Sequence, residues 1–495
     1  MKQIHHLIDG VEAAGTSGRT SPVYNPATGE QTAELSLASV AEVDAAVASA
    51  QAAFDTWRSS SLAHRTKAMF RYRDLVDRNA DEIASLLTAE HGKVKSDALG
   101  EVARGLENIE YACGIAEMLK GDYNEQASTG VDVYTVRQPL GVVAGITPFN
   151  FPAMVPLWMI PNALATGNTF VLKPSERDPS SPMLIAELAL EAGFPPGVLN
   201  VVNGDKEAVD RLLTHPDVKA VSFVGSTPIA KYVFNTANEH GKRVQALAGA
   251  KNHMIVLPDA DVGLAADAAV SAAFGSAGER CMAISVAVAV GDVADSLVTE
   301  VQARMDKLVI GPGDDPASEM GPLITAEAQE RVAGYIAAGA DAGAKVVVDG
   351  RDQNFEGDGY FLGATLIDEV TTDMTVYTDE IFGPVLSVVR VDTYGEAVDL
   401  IKNNPWGNGA AIFTRDGGAA RRFQDEADAG MIGINVPIPV PVAYHSFGGW
   451  KDSLFGDTTM YGPEGVRFYT KAKVVTSRWP DPATSTVNLG FPTNN

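Results

Sequence analysis

Apolar residues recur at helical spacing through the first third of the chain, in VAEVDAAVASAQAAFDTW, TKAMFRYRDLVDRNADEIASLLTAEHG and DALGEVARGLENIEYACGIAEMLKG. Side chains three and four apart share one face of a helix, so all three segments read as helices. The second ends at Gly92 and the third at Gly121, the residue type that most readily closes a helix. From residue 141 the pattern changes. Strand-length apolar runs, GVVAGI, TFVLK, VLNVV, VKAVSFV, RVQALA and HMIVL, alternate with the helical stretches SSPMLIAELALEAG and TPIAKYVFNTANEHG. That alternation predicts an α/β fold, a parallel sheet with helices on its faces. A second αβ series follows from about residue 262, through ISVAVAV, KVVV, PVLSVVRV, AAIFT and MIGIN. Two extended pieces, 123–138 and 470–479, belong to neither series. Paired, they form a candidate subunit-joining arm.

At 495 residues the chain exceeds what one core accommodates, since single cores stop growing near roughly 250–300 residues. Two large αβ domains are expected. Apolar content of 45% and charged content of 20% suit an ordinary water-soluble protein. The apolar runs are too short to span a bilayer, and the start, MKQIHHLIDGVE, has neither a signal core nor an amphipathic leader. The expected location is cytoplasmic, or the mitochondrial matrix for a processed chain. A net charge of −25 argues against nucleic acid or an anionic membrane as partner, because both require a basic face. The two cysteines, Cys113 and Cys281, suit a reducing compartment. Cys113 falls on an apolar helical stripe and reads as core. No metal-ligand set is expected.

Cys281 has a different setting, FGSAGERCMAIS. A cysteine acts as thiolate, and a neighbouring cation lowers its pKa. Arg280 is placed to supply that field, and the flanking glycines and the Glu279-Arg280 pair argue against burial. A small core cysteine is the alternative. Upstream, ITPFNFP ends a strand at Thr147 and presents Asn150 on a Pro-stiffened loop, where its amide suits a developing oxyanion; a turn-capping Asn is the other reading. The TFVLK strand ends at Lys173, with Glu176 three residues on. Strand carboxyl ends face the ligand crevice of an α/β sheet, so the two suit ribose hydroxyls, or simply a solvated strand end. In VSFVGSTPIAKYVF a strand runs through Gly225 into Ser226, the natural N-cap of a helix. Its free N–H groups suit phosphate, or only a cap.

Taken together, the PFNFP loop, the LKPSE strand end, the FVGST turn, the cysteine loop and Glu380-Ile-Phe-Gly-Pro resemble the aldehyde dehydrogenase superfamily in order and spacing, over nearly the whole chain. The resemblance implies Cys281 as nucleophile and Asn150 as oxyanion donor together with the Cys281 N–H. It implies an NAD site made by Thr147, Phe149, Lys173, Glu176, Arg177, Gly225, Ser226, Ala248, Glu380 and Phe382. Lys173 and Glu176 would hold the adenosine ribose, Ser226 the pyrophosphate and Glu380 the nicotinamide ribose. The implied division is 1–122 with 139–247 for NAD binding, 248–469 for catalysis, and 123–138 with 470–495 as oligomerisation arm and tail, in a homotetramer built as a dimer of dimers.

One departure narrows the reading. Hydrolytic members resemble one another in an ELGGK segment whose Glu activates water; the matching residues here are Leu247-Ala248-Gly249-Ala250-Lys251. Leucine takes no proton, and general-base catalysis typically contributes about 10²–10⁴-fold. A thiol acceptor, coenzyme A, would replace water. GERCMA, GAKNH, HSFGGWK and FYTKAKVVTSRW are similar to the CoA-acylating methylmalonate-semialdehyde (or malonate-semialdehyde) dehydrogenase subfamily, found in valine and inositol catabolism. Its two substrate-carboxylate arginines match Arg104 and Arg280, a role that suits the forked guanidinium. Arg104 on a solvated helix face is the alternative. A hydrolytic aldehyde dehydrogenase and a non-catalytic binding protein of the same fold remain open as rival functions.

Overall fold

The computed structural model describes residues 1–480 together with 482, 483 and 487. The chain builds two large sheets. The first has eight strands, in spatial order Leu454–Phe455, Arg243–Leu247, Val218–Val224, Val142–Ile146, Thr169–Lys173, Leu199–Val201, His6–Ile8 and Val11–Ala13. Its five inner strands run parallel, and only the edge pieces are antiparallel. The inner strands are almost wholly buried on both faces, which explains their unbroken apolar runs. The second sheet has seven strands, ordered Lys345–Val348, Thr365–Asp368, Val385–Val391, Ile284–Val290, Asn252–Val256, Gly409–Phe413 and Met431–Ile434. It has its own apolar core, while two others cover the faces of the first sheet.

Several expectations need correction. HMIVL, read as closing the first series, is the central Asn252–Val256 strand of the second sheet; a run buried on both faces carries no mark of which sheet it joins. The helical reading of the first third omits five short strands between Lys2 and Ser36. The 66–92 helix is two, Leu62–Arg78 and Ala80–His91, meeting at Asn79, whose φ of −99° and ψ of 12° leave the helical region and whose side-chain amide donates to the Leu75 carbonyl at 2.8 Å. The third helix, Lys95–Cys113, ends well before Gly121. The 248–469 block is also not one body. Leu454–Phe455 joins the first sheet, and Phe447, Met460, Val466 and Phe468 bury themselves in the first core.

The arm forms, with one strand more than expected: Tyr123–Ser128, Val131–Pro139 and Thr470–Arg478 make a three-stranded antiparallel sheet. Of the 470–495 segment assigned to arm and tail, residues 481, 484–486 and 488–495 lie outside the described residues. Among the described residues no helix is long and apolar enough to cross a membrane.

Candidate active site

Strand register lines up the site. Ile146 pairs with Lys173 on one side and Phe223 on the other, and Val224 pairs with Leu247. Thr147, Gly225 and Ala248 therefore leave the sheet side by side along its carboxyl edge. Counted along the chain, the five parallel strands lie in the order fifth, fourth, first, second, third. Strand order reverses between Val142–Ile146 and Val218–Val224, which opens a crevice at that point. A cavity of about 470 Å³ occupies it and extends toward the second sheet. Thr147, Phe149, Asn150, Lys173, Gly225, Ser226, Ala248, Cys281, Glu380 and Phe382 all line it. Glu176 and Arg177 instead line a separate cavity with Glu90 and Tyr360; Glu176 reaches back to Lys173 Nζ at 3.2 Å.

The cysteine loop follows a turn in left-handed backbone, with φ of 54° at Ser276, 51° at Ala277 and 74° at Gly278. Opposite it Phe382 has φ of 52°. Such conformations cost about 1–3 kcal/mol each in ordinary residues, and here both flank Cys281. The Cys281 carbonyl accepts from Asn252 Nδ2 at 3.0 Å and Asn408 Nδ2 at 3.2 Å, so the Cys281 backbone is clamped. Neither asparagine has a sequence signal, because each becomes a neighbour only through the second sheet.

Two electrostatic expectations fail. Cys281 is half-buried, and Glu279 beside it is wholly buried, its carboxyl pushed up to about 8 by that burial. Charged neighbours did not keep the loop in water. Nor does Arg280 make a resting thiolate. Burial first and then the Glu380 carboxylate push the Cys281 thiol up to about 12, while the Cys281 and Met282 N–H groups and Arg280 oppose this more weakly. The Arg280 guanidinium is held by Asp97 at 2.6 Å. Arg104 donates to both carboxylate oxygens of Glu107 and to the carbonyls of Val440 and Pro441. It lies close enough to Tyr461 for its charge to act on that phenol, as Cys281 also does. Cys113 is half-buried, and desolvation raises its thiol to about 11.

Glu380 Oε1 accepts from the Ala250 N–H at 2.9 Å, and burial pushes the carboxyl up to about 7. Phe382 meets Phe149 edge to face at 5.9 Å across the cavity. Ser226 is the N-cap of the Thr227–Glu239 helix, as its position predicts, but its side chain makes no capping bond. Thr147 Oγ1 is buried without a hydrogen-bond partner. Sequence reasoning missed Arg331, which lines the same cavity and donates to the Ile381 carbonyl. Leu247 is 3% exposed, in the apolar core against which Cys281 packs.

An α/β protein that places a clamped cysteine, a carboxamide and an unpartnered helix start around one crevice belongs to the class of nucleotide-dependent enzymes with thiol chemistry. Within that class the chain is a member of the aldehyde dehydrogenase family, whose sequence profile matches residues 13–475. It is 56% identical over 486 residues to malonate-semialdehyde dehydrogenase of Pseudomonas aeruginosa, covering 98% of each chain. It is 50% identical to malonate-semialdehyde dehydrogenase 2 of Geobacillus kaustophilus, over 97% of this chain and 99% of that one. Methylmalonate-semialdehyde dehydrogenase from Oceanimonas doudoroffii superimposes with a TM-score of 0.96 at 57% identity, over 98% of this chain and 99% of that one. A Sinorhizobium meliloti 1021 protein solved in complex with NAD has a TM-score of 0.97 at 53% identity, with the same coverage.

Proposed function

We propose that the protein is an NAD-dependent, CoA-acylating dehydrogenase that converts malonate semialdehyde and methylmalonate semialdehyde to acetyl-CoA and propionyl-CoA. The observation that carries the reading is the single cavity lined by Cys281, Asn150, Lys173, Ser226 and Glu380, with an apolar Leu247 where a hydrolytic relative has a base.

The cavity fits a dinucleotide. Ser226 and the helix start behind it offer uncommitted donors for phosphate oxygens. Thr147 Oγ1 is a buried polar atom in want of a partner, and Lys173 at the strand end is placed for ribose hydroxyls. Bound NAD supplies the hydride acceptor. The chain's residues do the rest. Cys281 Sγ attacks the aldehyde carbon, and its proton passes to solvent as the bond forms because the resting thiol is neutral. Asn150 and the Cys281 N–H receive the oxyanion, a contribution worth about 10²–10³-fold per donor in related chemistry. Oxidation leaves an acyl thioester on Sγ. With a carboxylate β to that carbonyl, CO₂ departs, its electron pair is taken up as the thioester enolate, and a proton from solvent completes the acyl group. The thiol of CoA then attacks the thioester and releases Cys281. Arg104, whose charge reaches Tyr461 beside Cys281, and Arg280, whose Nε is buried without a partner, receive the substrate carboxylate. The first sheet is the NAD-binding half and the second the catalytic half. Assembly is a cytoplasmic dimer of dimers through the arm, where Val474 and Trp479 are 65% and 81% exposed.

The test supplies either semialdehyde with NAD, with and without CoA, and identifies products. Acyl-CoA and CO₂ are expected, with NADH formation stalling after one turnover when CoA is absent. A free carboxylic acid formed at the same rate without CoA would return the reading to a hydrolytic enzyme.

A further inference from the structure

Lys93 and Glu101 form an ion pair at 2.6 Å with neither side chain exposed to solvent. A pair so buried is a weak source of stability, since desolvating two charges offsets most of their attraction. Its contacts point to another role. An ammonium has three N–H donors. One goes to Glu101, a second to the Asn150 carbonyl at 2.7 Å, and the ammonium also sits 4.5 Å from the centre of the Phe151 ring. Glu101 spends its other oxygen on the Ala153 and Met154 N–H groups at 2.8 and 3.0 Å. These open the Met154–Ala165 helix, whose own N-cap residue, Ala153, has no side chain able to cap it. The loop carrying Asn150 is therefore gripped at Asn150, Phe151 and Ala153 by one buried pair.

The grip belongs to a larger arrangement. Glu101 stands on the Lys95–Cys113 helix, and Asp97, four residues earlier, holds Arg280 next to Cys281. Residues four apart share a helix face. One face thus holds both the Asn150 loop and the Cys281 loop. Lys93 reaches inward because Gly92 turns the chain at φ of 92°; a Cβ there would lie 2.7 Å from Pro322 Cγ.

We propose that Lys93 and Glu101 are positioning residues that set the Asn150 amide at the distance from Cys281 that the oxyanion requires. This rests on the role given to Asn150 above. The test is a double-mutant cycle on the full-length enzyme. Lys93→Met with Glu101→Gln removes both charges while keeping an acceptor for the Ala153 and Met154 N–H groups, so the fold survives and the grip on Asn150 is lost. The single-turnover rate of NADH formation is expected to fall about 10²-fold, comparable to loss of an oxyanion donor. NAD affinity, read by protein fluorescence, and the melting temperature should stay near the parent's. In an Asn150→Ala background the same pair should cost almost nothing further, because residues acting through one group are non-additive. Should the neutral pair fail to fold, Glu101→Gln alone must show the same non-additivity. An undiminished rate, or losses that multiply across the cycle, overturns the proposal. An Asn150→Ala enzyme as fast as the parent instead removes the role of Asn150 itself.

Discussion

Arg280 Nη2 lies 2.6 Å from Asp97 Oδ1, so the residue directly preceding Cys281 is tied to the Lys95–Cys113 helix rather than turned on the thiol. The two side chains are 18% and 19% exposed, enough shielding for the pair to matter. Asp97→Asn retains the shape and drops the charge. It is expected to lower unfolding free energy by about 1–3 kcal/mol, less than for a fully buried pair, as measured by urea denaturation. KM for malonate semialdehyde should rise about tenfold with little change for propionaldehyde, which has no carboxylate to be received.

The pH dependence of Cys281 follows from its surroundings. With the thiol pushed up to about 12, the thiolate fraction grows with pH across the whole working range. Alkylation of the cofactor-free enzyme by iodoacetamide, followed by mass spectrometry, should rise from about pH 6 to 9 without a plateau, with a shallower stretch near pH 7 where Glu380 ionises and pushes the thiol up.

Glu380 supplies part of that upward push and itself titrates at about 7. In the Glu380→Gln enzyme the raising charge is gone, so the thiol pKa falls and alkylation quickens. The effect is confined to pH values above about 7, where the parent carboxyl is ionised. Below it the two enzymes should coincide, since both are then neutral at that position.

Leu247→Glu restores a proton acceptor at the end of the Arg243–Leu247 strand. NADH production without CoA should increase about 10²-fold, toward the lower end of what a general base contributes, and the product should become the free acid by chromatography. A variant still wholly dependent on CoA would mean that the apolar side chain is not what protects the thioester from water.

Gly249 leaves room for the Glu380 carboxylate. A Cβ there would lie 2.4 Å from Glu380 Oε2 and 2.9 Å from Thr227 Oγ1. Gly249→Ala should displace Glu380 from the Ala250 N–H and raise KM for NAD about tenfold, the scale of one charged hydrogen bond, while the melting temperature changes little. Initial-rate kinetics with varied NAD read this directly.

Much of this protein was legible from residue order. Strands buried on both faces have unbroken apolar runs, so Thr169–Lys173, Val218–Val224 and Ile284–Val290 could be read to their ends. Motifs at strand ends, Lys173 and Gly225-Ser226, were readable because a parallel sheet always presents those ends to its crevice. The resemblance to hydrolytic members singled out Leu247, and that a leucine takes no proton does not depend on fold.

Tertiary structure alone decided the rest. Which sheet receives Asn252–Val256, and that Leu454–Phe455 returns to the first sheet, depend on pairing between segments far apart in the chain. The Cys281 pKa depends on desolvation and on Glu380, neither of which local sequence contains. Arg280 looked like the activating cation because it is adjacent in sequence, yet in space its nearest charge is Asp97, 183 residues away. Proximity along the chain sets which groups are available, and packing sets which of them meet.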